Sequence, residues 1–258
     1  IVLEGLTSAI EAGGPMRPVQ VVFSRAEEGG LNGARNLDFS LVHAKTGMVF
    51  DGEGPVSRIC VGAPAQNIVQ ANISGVAAHA GLEPENGVSA LQVAANILTR
   101  LPLGRIDHET TSNIGLLQGG LKRNIVPEHA YLDGELRSRN QAKLENYTAE
   151  FQRAFDLVAA LYPQARIDLD IRNQYQAYSV SEEHPALTDI ARAVHSVGLT
   201  PTMETTGGGS DANVFFEHGI TALPVGIGVR DFHTTRETAN ISEILDGARV
   251  CQTFVGSP

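Results

Sequence analysis

The stretch that decides the fold is Pro18-Val19-Gln20-Val21-Val22-Phe23-Ser24-Arg25-Ala26-Glu27-Glu28-Gly29-Gly30. Its short apolar run is typical of a strand that is buried on both faces of a sheet. The Glu27-Glu28 pair follows at the carboxyl end of this predicted strand, where open α/β sheets bind their ligands. Two adjacent like charges need either water or a counter-charge. The pair is therefore either a solvated surface pair or part of a metal site, in which one carboxylate ligates a metal and its neighbour holds the attacking water.

The composition limits the classes of protein to which this chain can belong. Its 258 residues are 42% hydrophobic and 19% charged, which is typical of a folded protein of one or two domains. The net charge of −10 argues against nucleic-acid binding, because that requires a basic face. No apolar run approaches the ~20 residues of a membrane span. Cys60 and Cys251 are too few for a disulfide framework, and they predict a reducing, cytoplasmic location.

The first residues of the chain already follow the spacing of a helix. Leu3, Leu6 and Ile10 recur at helical intervals, no Met precedes them, and Gly13-Gly14-Pro15 ends the pattern. We therefore expect that a segment upstream of Ile1 is missing. For that reason the lack of a targeting peptide carries no information.

Two kinds of pattern divide the chain into an outer and an inner part. Residues 1–63 and 178–258 combine apolar strand-like runs with helices, which predicts one α/β domain with a mostly parallel sheet flanked by helices. Residues 64–177 instead read strand, helix, strand, strand, helix, strand, which predicts an inserted α+β domain of ferredoxin-like plan. The second helix of this inserted domain has an apolar stripe made of Leu144, Tyr147, Phe151, Phe155 and Val158.

Two more residues share the position of the glutamate pair after an apolar strand-like run. Asp51 follows Gly47-Met48-Val49-Phe50, and His233 follows the strand predicted over residues 221–226. Since the carboxyl ends of parallel strands meet at one edge of a sheet, these residues are expected to lie near the glutamate pair. Carboxylates and an imidazole are suitable ligands for zinc, manganese or cobalt. Their wide separation in sequence means that spacing alone does not prove a metal site.

Polar residues of the inserted domain allow two interpretations each. His79 lies among small residues, so it is either a turn histidine bonded locally or one that a ligand approaches closely. Asn124 ends Gly119-Gly120-Leu121-Lys122-Arg123, which offers amide donors but also suits a hairpin turn. Arg137 has acidic neighbours on its strand face, for which a structural ion pair is the default interpretation.

A second type of chemistry is suggested by Gly208-Gly209-Ser210-Asp211-Ala212. This stretch half-resembles the nucleophile elbow of a serine hydrolase, with Asp231 and His233 as conceivable partners. Such a triad would leave Glu27, Glu28 and Asp51 without a role. We therefore rank it below a metal hydrolase.

Short motifs follow one another along the whole chain in a fixed order. They are Glu27-Glu28-Gly29-Gly30-Leu31, Asp51-Gly52, Ala78-His79-Ala80-Gly81, Asn113-Ile114-Gly115, Asn124-Ile125-Val126, Glu135-Leu136-Arg137-Ser138, Gly207-Gly208-Gly209-Ser210-Asp211-Ala212-Asn213 and His233-Thr234-Thr235-Arg236-Glu237. Together they resemble the peptidase T-like aminopeptidases of the dinuclear-zinc aminoacylase/carboxypeptidase superfamily. The resemblance implies a catalytic domain over residues 1–63 and 178–258, and a lid and dimerisation domain over residues 64–177.

The resemblance also implies a role for each matching residue. Glu27 is expected to be the general base. Glu28 and His233 are expected to hold one metal and Asp51 the other, in a pair of Zn²⁺ ions for which Mn²⁺ or Co²⁺ can substitute. His79 is expected to reach the active site of the partner subunit in a homodimer and to stabilise the oxyanion there.

The substrate implied by the resemblance is a short peptide, above all a tripeptide. Asn124 and Arg137 are expected to bind its carboxylate end. The loop that contains Gly208, Gly209 and Asp211 is expected to line the pocket. The inserted domain is expected to close over the substrate as a lid.

The chain departs from the family at its beginning. The His-x-Asp motif and the bridging Asp of the family belong upstream of Ile1, so three of five expected metal ligands are present. One hypothesis is that the parent protein is a zinc-dependent aminopeptidase. Another is that the chain as given is a non-catalytic fragment that folds and dimerises through its lid. Carboxypeptidase and deacylase activities also remain open, because members of the superfamily share one core.

Overall fold

The structure is a computed structural model that describes residues 1–256. It divides the chain into two compact units. One, the outer unit, consists of Ile1–Ala63 and Tyr178–Pro258. The other, the inner unit, consists of Pro64–Ala177. The two units are described separately below.

The helices and strands, numbered along the chain, are as follows. The α-helices are α1 (Val2–Ala12), α2 (Asn32–Arg35), α3 (Ala90–Leu98), α4 (Gln141–Leu161), α5 (Pro185–Ser196), α6 (Asp211–Glu217) and α7 (Ile241–Gly256). The strands are β1 (Thr46–Gly52), β2 (Arg58–Ala63), β3 (Ala65–Ser74), β4 (Gly104–Arg105), β5 (Thr110–Gly119), β6 (His129–Ser138), β7 (Arg166–Tyr175), β8 (Tyr178–Ser179), β9 (Thr202–Thr205), β10 (Thr221–Gly226), β11 (Val229–Arg230) and β12 (Thr238–Ala239). Two short 3₁₀ turns cover Phe39–Leu41 and Pro84–Asn86.

The main sheet of the outer unit has the order β1-β10-β2-β8, with β9 also paired to β2. The longer ladders, β1 with β10 and β2 with β9, are parallel, whereas β10 with β2 and β2 with β8 are short antiparallel pairs. The core formed by this unit includes Ile59, Leu187, Leu223, Val225 and Val250, each fully buried or nearly so. The α/β class predicted from the sequence is confirmed, although β2 was not recognised as a strand.

The strand predicted over residues 18–24 is wrong. No strand of the described residues pairs with this segment, and its apolar side chains, Val19, Val21, Val22 and Phe23, are 38–71% exposed. The Gln20 side chain instead forms hydrogen bonds with the segment around residues 41–43. Its Nε2 donates to Leu41 O at 2.7 Å, and its Oε1 accepts from the backbone N–H of His43 at 2.6 Å. An apolar run gives strand propensity, but a strand also needs a partner for its backbone ladder.

The inner unit is a five-stranded antiparallel sheet of order β4-β5-β6-β3-β7 with α3 and α4 packed on one face. Alternate residues of β3, Val69, Ala71 and Ile73, are buried against these helices. The remaining positions of the strands point to the other face and are largely polar. The predicted β-α-β-β-α-β order is confirmed, with the two-residue strand β4 as an addition.

The helices of the outer and inner units are short or amphipathic. Among the residues that the structure describes, no helix combines the length and the apolar character needed to cross a membrane. Both cysteines are free and buried.

Candidate active site

A tightly closed loop carries the glutamate pair at the end of the extended segment. The carbonyl oxygen of Glu27 accepts hydrogen bonds from Gly30 N at 3.0 Å and from Leu31 N at 2.8 Å. Gly33 packs so closely that a Cβ there would lie 2.4 Å from the carbonyl oxygen of Arg25. Only glycine fits this approach without displacing backbone atoms. The loop therefore holds the backbone of Glu27 in a fixed place.

Two other elements of the outer unit carry Asp51 and His233. Asp51 is the extra residue of a β-bulge at the carboxyl end of β1, a device that redirects a side chain. His233 lies in the loop between β11 and β12, and the Glu53 carboxylate accepts a hydrogen bond of 3.1 Å from Asp231 N in that loop. The His233 Nε2 atom lies 3.8 Å from Glu28 Oε2. The structure thus brings the first half and the last part of the chain together at this site.

Backbone strain is concentrated in the same two loops. Among the described residues, positive φ angles at non-glycine positions occur at Ala26 (54°), Leu31 (60°), Asp231 (57°) and His233 (62°). The left-handed region is unfavourable for these side chains, and such outliers cluster at functional sites. This distribution marks the Glu27 loop and the His233 loop as one candidate functional site.

Negative charge is concentrated at the site, and it alters the titration of two acids. Partial burial, followed by the charges of Asp51, Glu28 and Asp211, raises the pKa of Glu27 to about 7. Partial burial and the charges of Asp211 and Glu28 raise the pKa of Asp51 to about 6, and His233 opposes this effect. Four carboxylates facing one imidazole leave the site short of positive charge.

The inner unit holds three of the predicted site residues. Gly81 N donates to His79 Nδ1 at 3.2 Å, so the neutral imidazole carries its proton on Nε2. Ala80 N donates to the carbonyl oxygen of Asn124 at 3.0 Å, which places His79 and Asn124 on adjacent segments. Arg137 lies at the other end of β6 from His129, about 26 Å away at the usual rise per strand residue.

Arg137 is already engaged within the inner unit. Its guanidinium forms a bidentate ion pair with Glu135, with Nε–Oε1 and Nη2–Oε2 distances of 2.9 and 2.8 Å. Gln66 Nε2 donates to the same carboxylate at 2.6 Å. This is the structural ion pair that was the default interpretation of the sequence. A substrate carboxylate would have to share or displace it.

Comparisons with known proteins identify the family. Residues 68–163 match the M20 peptidase dimerisation domain. The crystal structure of aminopeptidase PepT from Bacillus cereus ATCC 10987 is 36% identical, with a TM-score of 0.85 over 98% of this chain and 69% of that one. The tripeptidase structure from Staphylococcus aureus subsp. aureus Mu50 is 30% identical, with a TM-score of 0.90 over 98% and 68%. The chain belongs to the peptidase T-like family of M20 peptidases.

The family resemblance inferred from the motifs is therefore confirmed. A further relative is the protein YqjE from Bacillus subtilis (strain 168), which is 36% identical over 232 residues. That match covers 90% of this chain but 62% of YqjE. The chain thus spans less than two thirds of the length of this relative.

The side chains present fit a divalent metal in chemistry but do not complete its coordination. Carboxylate and imidazole donors suit zinc, manganese or cobalt. Two ligands of a tetrahedral zinc lie about 3.4 Å apart at usual bond lengths, close to the 3.8 Å between Glu28 Oε2 and His233 Nε2. Within residues 1–256, however, no three His, Cys, Asp or Glu side chains converge as a metal site. The described residues therefore offer a donor pair and nearby carboxylates.

The glycine-rich loop before α6 ends in a helix cap. Gly208 N donates to Thr206 Oγ1 at 3.1 Å, and Gly209 follows. Ser210 is the N-cap residue: its Oγ accepts from Ala212 N at 3.3 Å, and its own N donates to Asn213 Oδ1 at 3.0 Å. Ser210 is buried, and its hydroxyl has a structural task. This geometry argues against Ser210 as a nucleophile.

We expect Ser210→Ala to reduce stability rather than to remove a nucleophile. Loss of the capping hydroxyl should lower the free energy of unfolding by about 1 kcal/mol, as for other N-cap serines. Ser210→Thr keeps the hydroxyl and should lose less. Urea unfolding measures both, and a fluorophosphonate should label neither variant nor the parent chain. Labelling that disappears in Ser210→Ala would revive the serine-hydrolase interpretation.

The raised pKa of Glu27 predicts how stability depends on pH in the absence of metal. The folded chain keeps this proton up to about pH 7, whereas the unfolded chain releases it near 4.5. Stability therefore falls as the pH rises from about 4.5 to 7, and the loss is complete above that range. Glu27→Gln removes the effect, so it should stabilise the chain by about 1–2 kcal/mol at pH 8, allowing for solvent screening.

At pH 4 the same substitution should change little, because Glu27 is then protonated in both states. Urea unfolding at the two pH values, with a chelator present, measures the difference. Glu11→Gln, on the exposed side of α1, is the control and should change stability by less than ~0.5 kcal/mol at either pH. An equal effect of Glu27→Gln at both pH values would contradict the prediction.

Two residues that support the site were not singled out from the sequence. Glu53 contacts the His233 loop across 178 positions, and Ser24 donates to Asp211 across 187 positions. Neither residue belongs to a periodic pattern or a spacing motif. Pairs so distant in sequence become visible only when the chain is folded.

Proposed function

We propose that the whole protein is a zinc-dependent metallopeptidase that removes the N-terminal residue from short peptides, with tripeptides as its preferred substrates. The observation that carries the proposal is the juxtaposition of Glu27 with Glu28, Asp51 and His233 in one unit. Membership of the peptidase T-like family supports the reaction class. The aminopeptidase and tripeptidase named among its structural neighbours support the substrate class.

In this proposal Glu27 is the general base. A pKa of about 7 is close to the value at which a carboxylate exchanges protons most effectively at neutral pH. One Glu27 oxygen would take a proton from the attacking water and deliver it to the amine of the leaving peptide. The closed loop around Glu27 supports this role, since a general base must be held within hydrogen-bond reach of its proton.

Glu28 and His233 would hold one metal ion and Asp51 the other. The ions, when bound, would supply Lewis acidity to the scissile carbonyl and to the attacking water. The deficit of positive charge among the four carboxylates supports this assignment. Because metal binding needs deprotonated ligands, it should release protons near neutral pH.

His79, Asn124 and Arg137 would act on the substrate. The Nε2–H group of His79 is a hydrogen-bond donor that would stabilise the oxyanion. Asn124, on the neighbouring segment, would bind the carboxylate end of the peptide. Arg137 lies about 26 Å along β6 from His129, so it would reach the same short peptide only from the other subunit of the dimer, and only by exchanging its bond to Glu135. The glycine-rich loop at Gly208 and Gly209 would line the pocket.

Hydrolysis assays on the whole protein test the proposal. It should cleave a tripeptide with a free amino group, lose this activity to a chelator and regain it with Zn²⁺, Mn²⁺ or Co²⁺. An N-acetylated tripeptide should not be cleaved. Preferential hydrolysis of N-acyl amino acids would point to a deacylase or carboxypeptidase.

Calorimetric titration of this chain alone with Zn²⁺ tests the hypothesis that the chain is a non-catalytic fragment. Tight binding of two Zn²⁺ ions per chain would contradict that hypothesis.

The dimerisation-domain match supports a homodimer formed through residues 64–177. If His79 acts in the partner subunit, mixing inactive Glu27→Gln and His79→Ala dimers should restore activity. A heterodimer has one site with both residues intact, so a randomised equal mixture should reach about a quarter of the wild-type rate. Steady-state assays after exchange of subunits measure this. No recovery, despite heterodimers seen by native mass spectrometry, would place His79 in its own subunit's site.

A further inference from the structure

A hydrogen bond links the glutamate loop to the start of α6. Ser24 lies at the end of the extended segment, three residues before Glu27, and its Oγ donates to Asp211 Oδ2. Asp211 is the first residue of α6 and is 7% exposed. The bond thus joins the loop that carries the general base to a buried residue of a regular helix.

The helix does not use the Asp211 side chain for its own cap. Ser210 and Asn213 form a complete capping box, so the end of α6 is satisfied without Asp211. The second oxygen of Asp211, Oδ1, is buried and has no hydrogen-bond partner among the described residues. Burial of a carboxylate with an unused oxygen is unfavourable. The Asp211 carboxylate is therefore better explained by a role beyond the stability of α6.

We propose that Asp211 is a positioning residue, which anchors Ser24 and thereby fixes the loop that presents Glu27. The proposal rests on the function proposed above for Glu27. It differs from the role implied by the family resemblance, in which Asp211 only lines the substrate pocket.

Movement of Ser24 is transmitted to Glu27 because the loop between them is closed. Asn32 N donates to Ala26 O at 3.2 Å, and Gly33 packs against the backbone of Arg25 and the Cβ of Ser24. Hydrogen bonds and close packing therefore link residues 24–33 to one another. The charge of Asp211 also raises the pKa of Glu27 and of Asp51.

A positioning role predicts an effect on turnover rather than on binding. In the whole protein, Ser24→Ala and Asp211→Ala should each lower kcat by about 10–100-fold, with KM within about twofold, since misplacement of a catalytic group costs this much. Ser24→Thr keeps the hydroxyl and should restore most of the turnover. The kcat of the double variant should be no lower than that of the less active single variant, because both substitutions break the same hydrogen bond. Ser40→Ala, whose hydroxyl bonds only locally to Asp38, is the matched control and should keep full activity.

Hydrogen exchange gives a readout that does not depend on activity. In Ser24→Ala, the amides of Gly30 and Leu31 should exchange at least about tenfold faster, while those of β10 stay unchanged. Because Ser24 is exposed, this variant keeps the test valid even if Asp211→Ala does not fold. Unchanged exchange in this loop would overturn the inference, and so would a raised KM with unchanged kcat.

The two proposals fail in different ways. A whole protein that cleaves no peptide would reject the proposed function, and exchange in the Glu27 loop would still decide whether Ser24 and Asp211 anchor it. An active protein in which Ser24→Ala changes neither kcat nor exchange would reject the anchor and leave the proposed function intact.

Discussion

Replacing Glu27 by Gln in the whole protein is expected to lower the rate of tripeptide hydrolysis by about 10²–10⁴-fold, the usual contribution of a general base. Gln has nearly the shape of Glu but cannot accept a proton from water. The substitution should leave Glu28, Asp51 and His233 in place. The kcat should therefore fall while zinc content, measured by elemental analysis, stays at the wild-type value.

The adjacent glutamate provides the control for this experiment. Glu28→Gln removes a proposed metal ligand, so it should lower both zinc content and turnover. The two neighbouring residues thus separate proton transfer from metal binding. Hydrolysis that persists in Glu27→Gln with zinc bound would show that another group is the base. Loss of zinc in Glu27→Gln would instead make Glu27 a ligand.

Patterns local in sequence predicted most of the fold correctly. The apolar stripe of α4 and the order of strands and helices over residues 64–177 could be predicted because each depends only on patterns that are local in sequence. The run over residues 19–23 failed because it has the propensity of a strand but no paired neighbour. The strand β2 was missed although its apolar run, Ile59-Cys60-Val61, is as long as Met48-Val49-Phe50 in β1, because runs this short do not by themselves distinguish a strand from a loop.

The candidate site was predictable in part for the same reason. Asp51 lies at the carboxyl end of a strand, β1, so its position could be inferred from a simple rule about strand ends. The same rule was applied to Glu27 and Glu28, although the segment before them forms no strand. The strain at Ala26 and His233 could not be inferred, because φ angles depend on how the loop closes. The bond between Ser24 and Asp211 could not be inferred either, since no local pattern connects residues 187 positions apart.

Phe151 provides the largest expected effect on stability. It lies on the apolar stripe of α4 and is 0% exposed, packed with β3 and α3 in the core of the inner unit. Phe151→Ala should lower the free energy of unfolding of this unit by about 3–5 kcal/mol, because it removes buried apolar surface and leaves a cavity. Such a loss is a large fraction of the stability of an ordinary domain.

The same helix supplies a matched control on its opposite side. Leu157 is 62% exposed, so Leu157→Ala removes a similar group with almost no loss of burial and should change stability by less than ~0.5 kcal/mol. Hydrogen exchange resolves the effect by unit: amides of β3 and β6 should lose protection in Phe151→Ala, and those of β1 and β10 report on the outer unit. Equal losses for the two variants would mean that helix propensity, not packing against the sheet, holds α4. A dimer formed through residues 64–177 should weaken in Phe151→Ala alone, because its interface needs this unit folded.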